Sequence, residues 1–228
     1  EFTTSIFASP KIDSLLHVLD ETIADSELYE NEKKNRIASI KAELQLENIG
    51  SNESFGIYEM LHREYEFYIS DSARYYIDRC IDIARANDDG VKLANAMIKK
   101  ANLLATAGLY PEAIELLKLV NTGFLTKLDS ARYYLALEHT YLYHAEYVRD
   151  DEVMGKYLEL RNVYRDSALL LLPENEYLFT ITKTSQLIEE GLFDEAEVLL
   201  LSYMPKVENG TRDYSVLTSI LAFLYECM

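Results

Sequence analysis

The sequence predicts an all-α chain, an α-α superhelix of stacked helical hairpins, and three observations carry that prediction. GLYPEAIELL, residues 108–117, returns as GLFDEAEVLL, residues 191–200, with glycine, aromatic, alanine and leucine in the same places. Small residues at positions 73, 113, 155 and 196 recur at intervals of 40, 42 and 41, each preceded by a break and followed by a helical pattern. Of the 228 residues 49% are hydrophobic, with only 8 Gly and 4 Pro, which excludes a disordered chain and favours helix. A helix, turn and helix iterated at a fixed period form an α-solenoid, because one hairpin cannot bury its own apolar face and must stack on the next.

Residues 1–10 are expected to be disordered or the remnant of a secretory signal, on the strength of SIFA at 5–8. Residues 11–49 form a helical lead-in. Its apolar positions Ile12, Leu15, Leu16, Leu19 and Ile23, then Tyr29, Ile37, Ile40 and Leu44, are spaced for two amphipathic helices broken near Asp25 and Ser26. That lead-in either caps the first hairpin or packs against another copy of the chain. GSNES, residues 50–54, opens the repeat region 50–228. Hairpins are expected at about 54–87, 91–121, 130–171 and 175–204, followed by an unpaired helix at 213–227. Helix breaks then fall near residues 50, 70, 90, 109, 126, 150, 173, 191 and 210.

The repeat has a physical cause. Gly108 and Gly191 can end the first helix in the left-handed conformation, which a Cβ makes costly. Pro111 stands where the next helix starts, with φ already set and no amide to leave unpaired. Ala113, Gly155 and Ala196 are small, so the second helix can lie close against the first.

Gly108, Tyr110, Ala113 and Leu117, and again Gly191, Phe193, Ala196 and Leu200, match the turn and second-helix half of the tetratricopeptide repeat, which the chain resembles over roughly residues 54–204. It departs in a period near 41 rather than about 34, in having no tryptophan, and in Asp150 and Gly155 where the third unit would carry glycine and alanine. The lead-in IDSLLHVLDETIADSELYENEKKNRIASIKAEL and the closing TRDYSVLTSILAFLYE are similar to the start and middle of a family of bacterial tetratricopeptide-type transcriptional regulators. That resemblance implies a signal sequence, an extracytoplasmic (periplasmic) helical-repeat region, one membrane-spanning helix, a coiled coil and a C-terminal DNA-binding domain. The chain, starting at Glu1 and stopping at Met228 within an apolar helical pattern, is then expected to be the front of the sensor half.

The formal charge is −17, from 22 basic and 39 acidic side chains, so direct nucleic-acid binding by this segment is not expected. No apolar run approaches the ~20 residues of a membrane span, which predicts a soluble segment whose membrane link lies in its missing C-terminal parts. Cys80 and Cys227 have no metal-ligand spacing and imply neither a disulfide framework nor zinc. His139 and His144 are five apart, about 140° around a helix, where a metal face wants i and i+4; His17 and His62 are isolated. Asp150, Asp151 and Glu152, and Glu189 and Glu190, fall at helix breaks, where carboxylates cap helix starts or are solvated. With no GxGxxG, P-loop or GxSxG, the chain is expected to be no enzyme and to need no cofactor or metal.

Tyrosine stands out, with 18 in the chain and Tyr133, Tyr134, Tyr141, Tyr143 and Tyr147 in one stretch. They either fill the joints between hairpins or offer a recognition surface. In a tetratricopeptide-like solenoid the first helix of each hairpin lines the concave face, which would place Asn95, Ile98 and Asn102, then Thr140, His144 and Tyr147, then Ile181 and Ser185 in a binding groove. The lysine and asparagine clamp of some peptide-binding members is not reproduced, because Ile98 stands where a lysine is needed. Two functions remain open: a module that binds a protein or peptide partner, as the sensor part of a membrane-anchored regulator, and a structural or homodimerising scaffold with an empty groove.

Overall fold

The computed structural model describes His17, Asp20 and residues 23–45 and 49–228, and the expectations for residues 1–10 and for Ile12, Leu15, Leu16 and Leu19 lie outside these. Among the described residues the chain is all helical, with ten α-helices, two short 3-10 turns and no strand. It divides into two compact units between Arg79 and Cys80.

The first unit contains α1 (Ser26–Glu43), α2 (Ser51–Tyr65) and the start of α3 (Ser70–Ala86). A turn at Asp25 precedes α1, at the expected break. Only Ile37 of α1 is buried, so this helix contributes little core of its own. It is fastened instead by Lys41, whose Nζ donates to the Tyr65 hydroxyl at 3.0 Å and lies 5.3 Å from the centre of that ring. Tyr58, Tyr76, Tyr65 and Tyr68 stack in series, with centroids 5.5–6.2 Å apart. His62, isolated in sequence, is a packing residue: it is buried, and its Nδ1 lies 3.1 Å from the Ala73 carbonyl oxygen.

The second unit holds the rest of α3, then α4 (Gly90–Thr106), α5 (Tyr110–Lys118), α6 (Lys127–Tyr147), α7 (Asp151–Leu171), α8 (Tyr177–Glu189), α9 (Phe193–Tyr203) and α10 (Arg212–Cys227). The turns inside the α4–α5 and α8–α9 hairpins are the same turn written twice. Gly108 and Gly191 have φ of 79° and 75°. Each closes a Schellman motif, in which Leu109 N donates to Leu104 O and Leu192 N to Leu187 O, both at 2.9 Å. The chain then enters α5 and α9 with no side-chain cap. Four other helices, α4, α6, α7 and α10, are capped by side chains: Asp89, Thr126, Asp150 and Thr211 accept from the backbone N–H three residues on.

Ala73, Ala113 and Ala196 each stand three residues beyond the first residue of their helix and are fully buried. Gly155 departs from this pattern. It stands four residues in, and a Cβ built there would meet nothing within 4 Å, so it is not a spacer between packed helices. The α6–α7 hairpin is joined by other means. Ala131 and Leu135 pack with Ala168 and Leu172, and an aromatic seam sets Tyr134 and Tyr141 against Tyr164 at 6.2 and 5.7 Å. Around Ala196 and Leu200 a last core cluster includes Leu187, Leu217 and Leu224, which docks α10 on the α8–α9 hairpin. No helix among the described residues is long and apolar enough to cross a membrane.

Candidate functional site

The first helices of the third and fourth hairpins, α6 and α8, and the unpaired α10 open onto a common pocket of about 510 Å³ whose floor includes two residues of α7. Its walls are largely aliphatic. Leu135 and Leu142 come from α6, Leu178, Ile181 and Ile188 from α8, and Ile220 and Phe223 from α10. Such helices present one apolar stripe each, and where three stripes converge without a fourth helix between them a cavity remains.

At the base lies a network of charges that are mostly withdrawn from water. Arg161 and Arg165 stand one turn apart on α7, and both are buried. Arg161 Nε donates to Glu138 Oε1 at 3.0 Å, its Nη1 donates to Glu189 Oε2 at 2.6 Å, and its Nη2 donates to Glu189 Oε1. Arg165 Nη1 reaches the same Glu189 Oε2 at 2.5 Å. Glu189 therefore serves two guanidinium groups. The remaining Glu138 oxygen, Oε2, lies 3.3 Å from His139 Nε2. Burial alone would raise the Glu189 carboxyl, but hydrogen bonds and charge from Arg161 and Arg165 outweigh it and hold it below the usual carboxylate range. Burial likewise disfavours a charged Arg161, yet Glu189 and Glu138 more than offset this and keep it protonated. One polar atom is left over. Arg165 Nε is buried and has no hydrogen-bond acceptor.

The eight residues expected to form one groove do not converge. Ile181 and Ser185 line this pocket. Ser185 turns its hydroxyl back to the Ile181 carbonyl oxygen at 3.0 Å. Thr140 is fully buried and donates to the Ala136 carbonyl oxygen at 2.6 Å, and Ile98 is in the core. His144 is sandwiched between Tyr110 and Tyr157, with ring centres 5.2 and 4.5 Å away. Tyr147 is 78% exposed beside Tyr110. Asn95 is half-buried and hydrogen-bonds to Asp129; burial would raise that carboxyl, but Thr126, Asn95 and Arg132 together lower it. Asn102 is half-buried, with its Oδ1 unpaired. A slip of one or two positions around α6 separates the expected residues from the real lining. Thr140 and His144 face the hairpin joints, whereas Glu138, His139 and Leu142 face the pocket.

Sequence reasoning missed Glu138, Arg161, Arg165 and the role of Glu189. A signal existed in YLELRNVYRDSALLL, where two arginines at i and i+4 sit among apolar residues on one helix face. Glu189 is a helix-end carboxylate, the last residue of α8 and partly exposed like its neighbour Glu190, and only its partners Arg161 and Arg165 set it apart. Among the described residues no cluster of His, Cys, Asp or Glu is arranged to hold a metal ion.

Comparison with known proteins adds the family. Residues 23–228 match the family model described as the SusR N-terminal TPR domain. No curated protein matches the sequence.

Proposed function

Because the chain belongs to the SusR N-terminal TPR domain family, a family of helical-repeat interaction modules, we propose that it is the ligand-sensing part of a membrane-anchored transcriptional regulator, placed outside the cytoplasm. The α6–α8–α10 pocket is its recognition site. Binding there is non-catalytic: it fixes the angle between the third and fourth hairpins and α10, and that geometry is what a downstream segment reads. One observation carries this reading. The third and fourth hairpins and α10 contribute to a single cavity whose base is a charged network with a donor left unpaired, so a ligand would tie together elements that otherwise touch only in part.

A pocket-filling variant tests it. Ser219→Trp, at an exposed pocket-lining position, should leave the melting temperature unchanged and abolish the response of the full-length protein in a reporter assay. A normal response from the folded variant would remove the pocket from the mechanism.

A scaffold reading is favoured by one separate feature. Leu160, Val163 and Leu170 lie along one side of α7 and are exposed, Leu170 at 82%, which is the kind of stripe a second copy would cover. Sedimentation of wild type against Leu170→Glu decides it: a dimer lost in the variant supports the scaffold, and a monomer throughout excludes it.

A further inference from the structure

We infer that the pocket between α6, α7, α8 and α10 takes a small amphipathic carboxylate, with its anionic end on Arg165 and its apolar body against Leu142, Ile181, Ile220 and Phe223. This rests on reading the pocket as the recognition site and adds the class of molecule to it.

The argument starts from an asymmetry between the two arginines. Arg161 has Nε, Nη1 and Nη2 all bonded to carboxylate oxygens. Arg165 is just as buried, at 6% exposure, yet has only Nη1 engaged and shares that acceptor with Arg161. Its Nε has none. A buried donor left unpaired is costly, and native structures satisfy nearly all of them; Arg165 lines the pocket, and although its Nε is itself sealed from solvent, a ligand oxygen entering beside it would supply the missing acceptor. The acceptor is specified by geometry. A guanidinium offers parallel N–H groups along one edge, and a carboxylate is the group that meets such an edge with two oxygens at once.

The rest of the molecule is specified by the walls and the space. Seven aliphatic or aromatic side chains line the cavity, and 510 Å³ lies within the ordinary range of small-molecule sites, about 300–1,000 Å³. A helix or an extended peptide would not fit inside it. A sugar-like body covered in hydroxyls would leave most of its polar groups facing aliphatic walls, whereas an aliphatic or aromatic body would not.

Isothermal titration with hydrocinnamate and with its amide, on the whole chain and on variants, tests the inference. The acid should bind about ten- to a hundredfold more tightly than the amide, the affinity equivalent of a hydrogen bond to a charged group. Arg165→Met should abolish that preference while leaving amide binding in place. Glu189→Gln should tighten acid binding, because it releases a guanidinium from a shared acceptor; opposite effects at two neighbouring positions would not arise from a merely structural role. Equal binding of acid and amide, a preference that survives in Arg165→Met, or binding of neither compound overturns the inference. The Ser219→Trp reporter result is independent of all three, so the pocket can survive as the recognition site even if its ligand is not an acid.

Discussion

Arg161 and Glu138 meet across 23 residues of sequence as an ion pair almost wholly removed from water, Nε to Oε1 at 3.0 Å with both side chains under 10% exposed. Such a pair is weak support for stability as a whole but a liability when halved: loss of Arg161 leaves the buried Glu138 with only the His139 ring beside it, whereas loss of Glu138 leaves Arg161 still held by Glu189. Arg161→Ala should therefore cost roughly 3–5 kcal/mol, and Glu138→Ala less. The double variant Glu138→Leu with Arg161→Met should recover most of that loss. Urea denaturation compares the four proteins, and an Arg161→Ala variant that costs under about 1 kcal/mol would show that water screens the pair after all.

A second prediction concerns acid. Burial between Tyr110 and Tyr157 holds the His144 imidazole below its ordinary value, and its Nδ1 has no partner. The unfolded chain therefore takes up a proton at a higher pH than the folded one, so stability rises with pH across that window. The contribution is fully present above the ordinary imidazole value of about 6.5 and is lost as pH falls from there towards the lower folded value. His144→Phe should flatten the dependence between pH 7.5 and 5.5, about a unit either side of that value, in thermal melts. An unchanged slope would place the titration elsewhere.

At the alkaline end the sign reverses. Tyr177 is pushed up to about 12, chiefly by burial and then by the nearby Asp213. The folded state keeps this proton after the unfolded state has released it, so stability is lost as pH rises from the ordinary phenol value of about 10. Phenolate absorbance should show tyrosines that ionise late, together with unfolding, and Tyr177→Phe should lower their number by one.

How much of this was legible beforehand depends on what each residue does. Gly108, Gly191 and the alanines at 113 and 196 could be read because their roles are local: a positive φ and a close approach within one turn demand particular residue types. The helix breaks followed for the same reason, since Asp89, Thr126, Asp150 and Thr211 cap by type and position. The groove could not be read in this way. Which face of α6 looks into the pocket depends on how α8 and α10 dock, and a rotation of about 100° per residue turns a small error in phase into a different face. Thus Thr140 and Asn95 were expected to be available for binding, whereas one is sealed in the core and the other is committed to Asp129. The Glu138–Arg161–Glu189–Arg165 network joins three helices across up to 28 residues between partners, and nothing local announces such a pairing.

The same distinction supports a final prediction on the repeat itself. Gly108 sits at φ of 79° with open space around it, so Gly108→Ala adds no clash and its cost is the backbone term alone, about 1–2 kcal/mol. Ala113 is sealed between helices, and Ala113→Leu should cost about 1–3 kcal/mol by overpacking. Gly155 belongs to neither class. It lies within α7 in helical conformation, with nothing near its missing Cβ, so Gly155→Ala should stabilise the chain by about 0.5–1 kcal/mol through reduced freedom of the unfolded state. Denaturation midpoints of the three variants should thus split in sign, down for the first two and up for the third. If Gly155→Ala proved as damaging as Ala113→Leu, residue 155 would be a true spacer of the third hairpin, and α6 and α7 would have to approach more closely there than the structure places them.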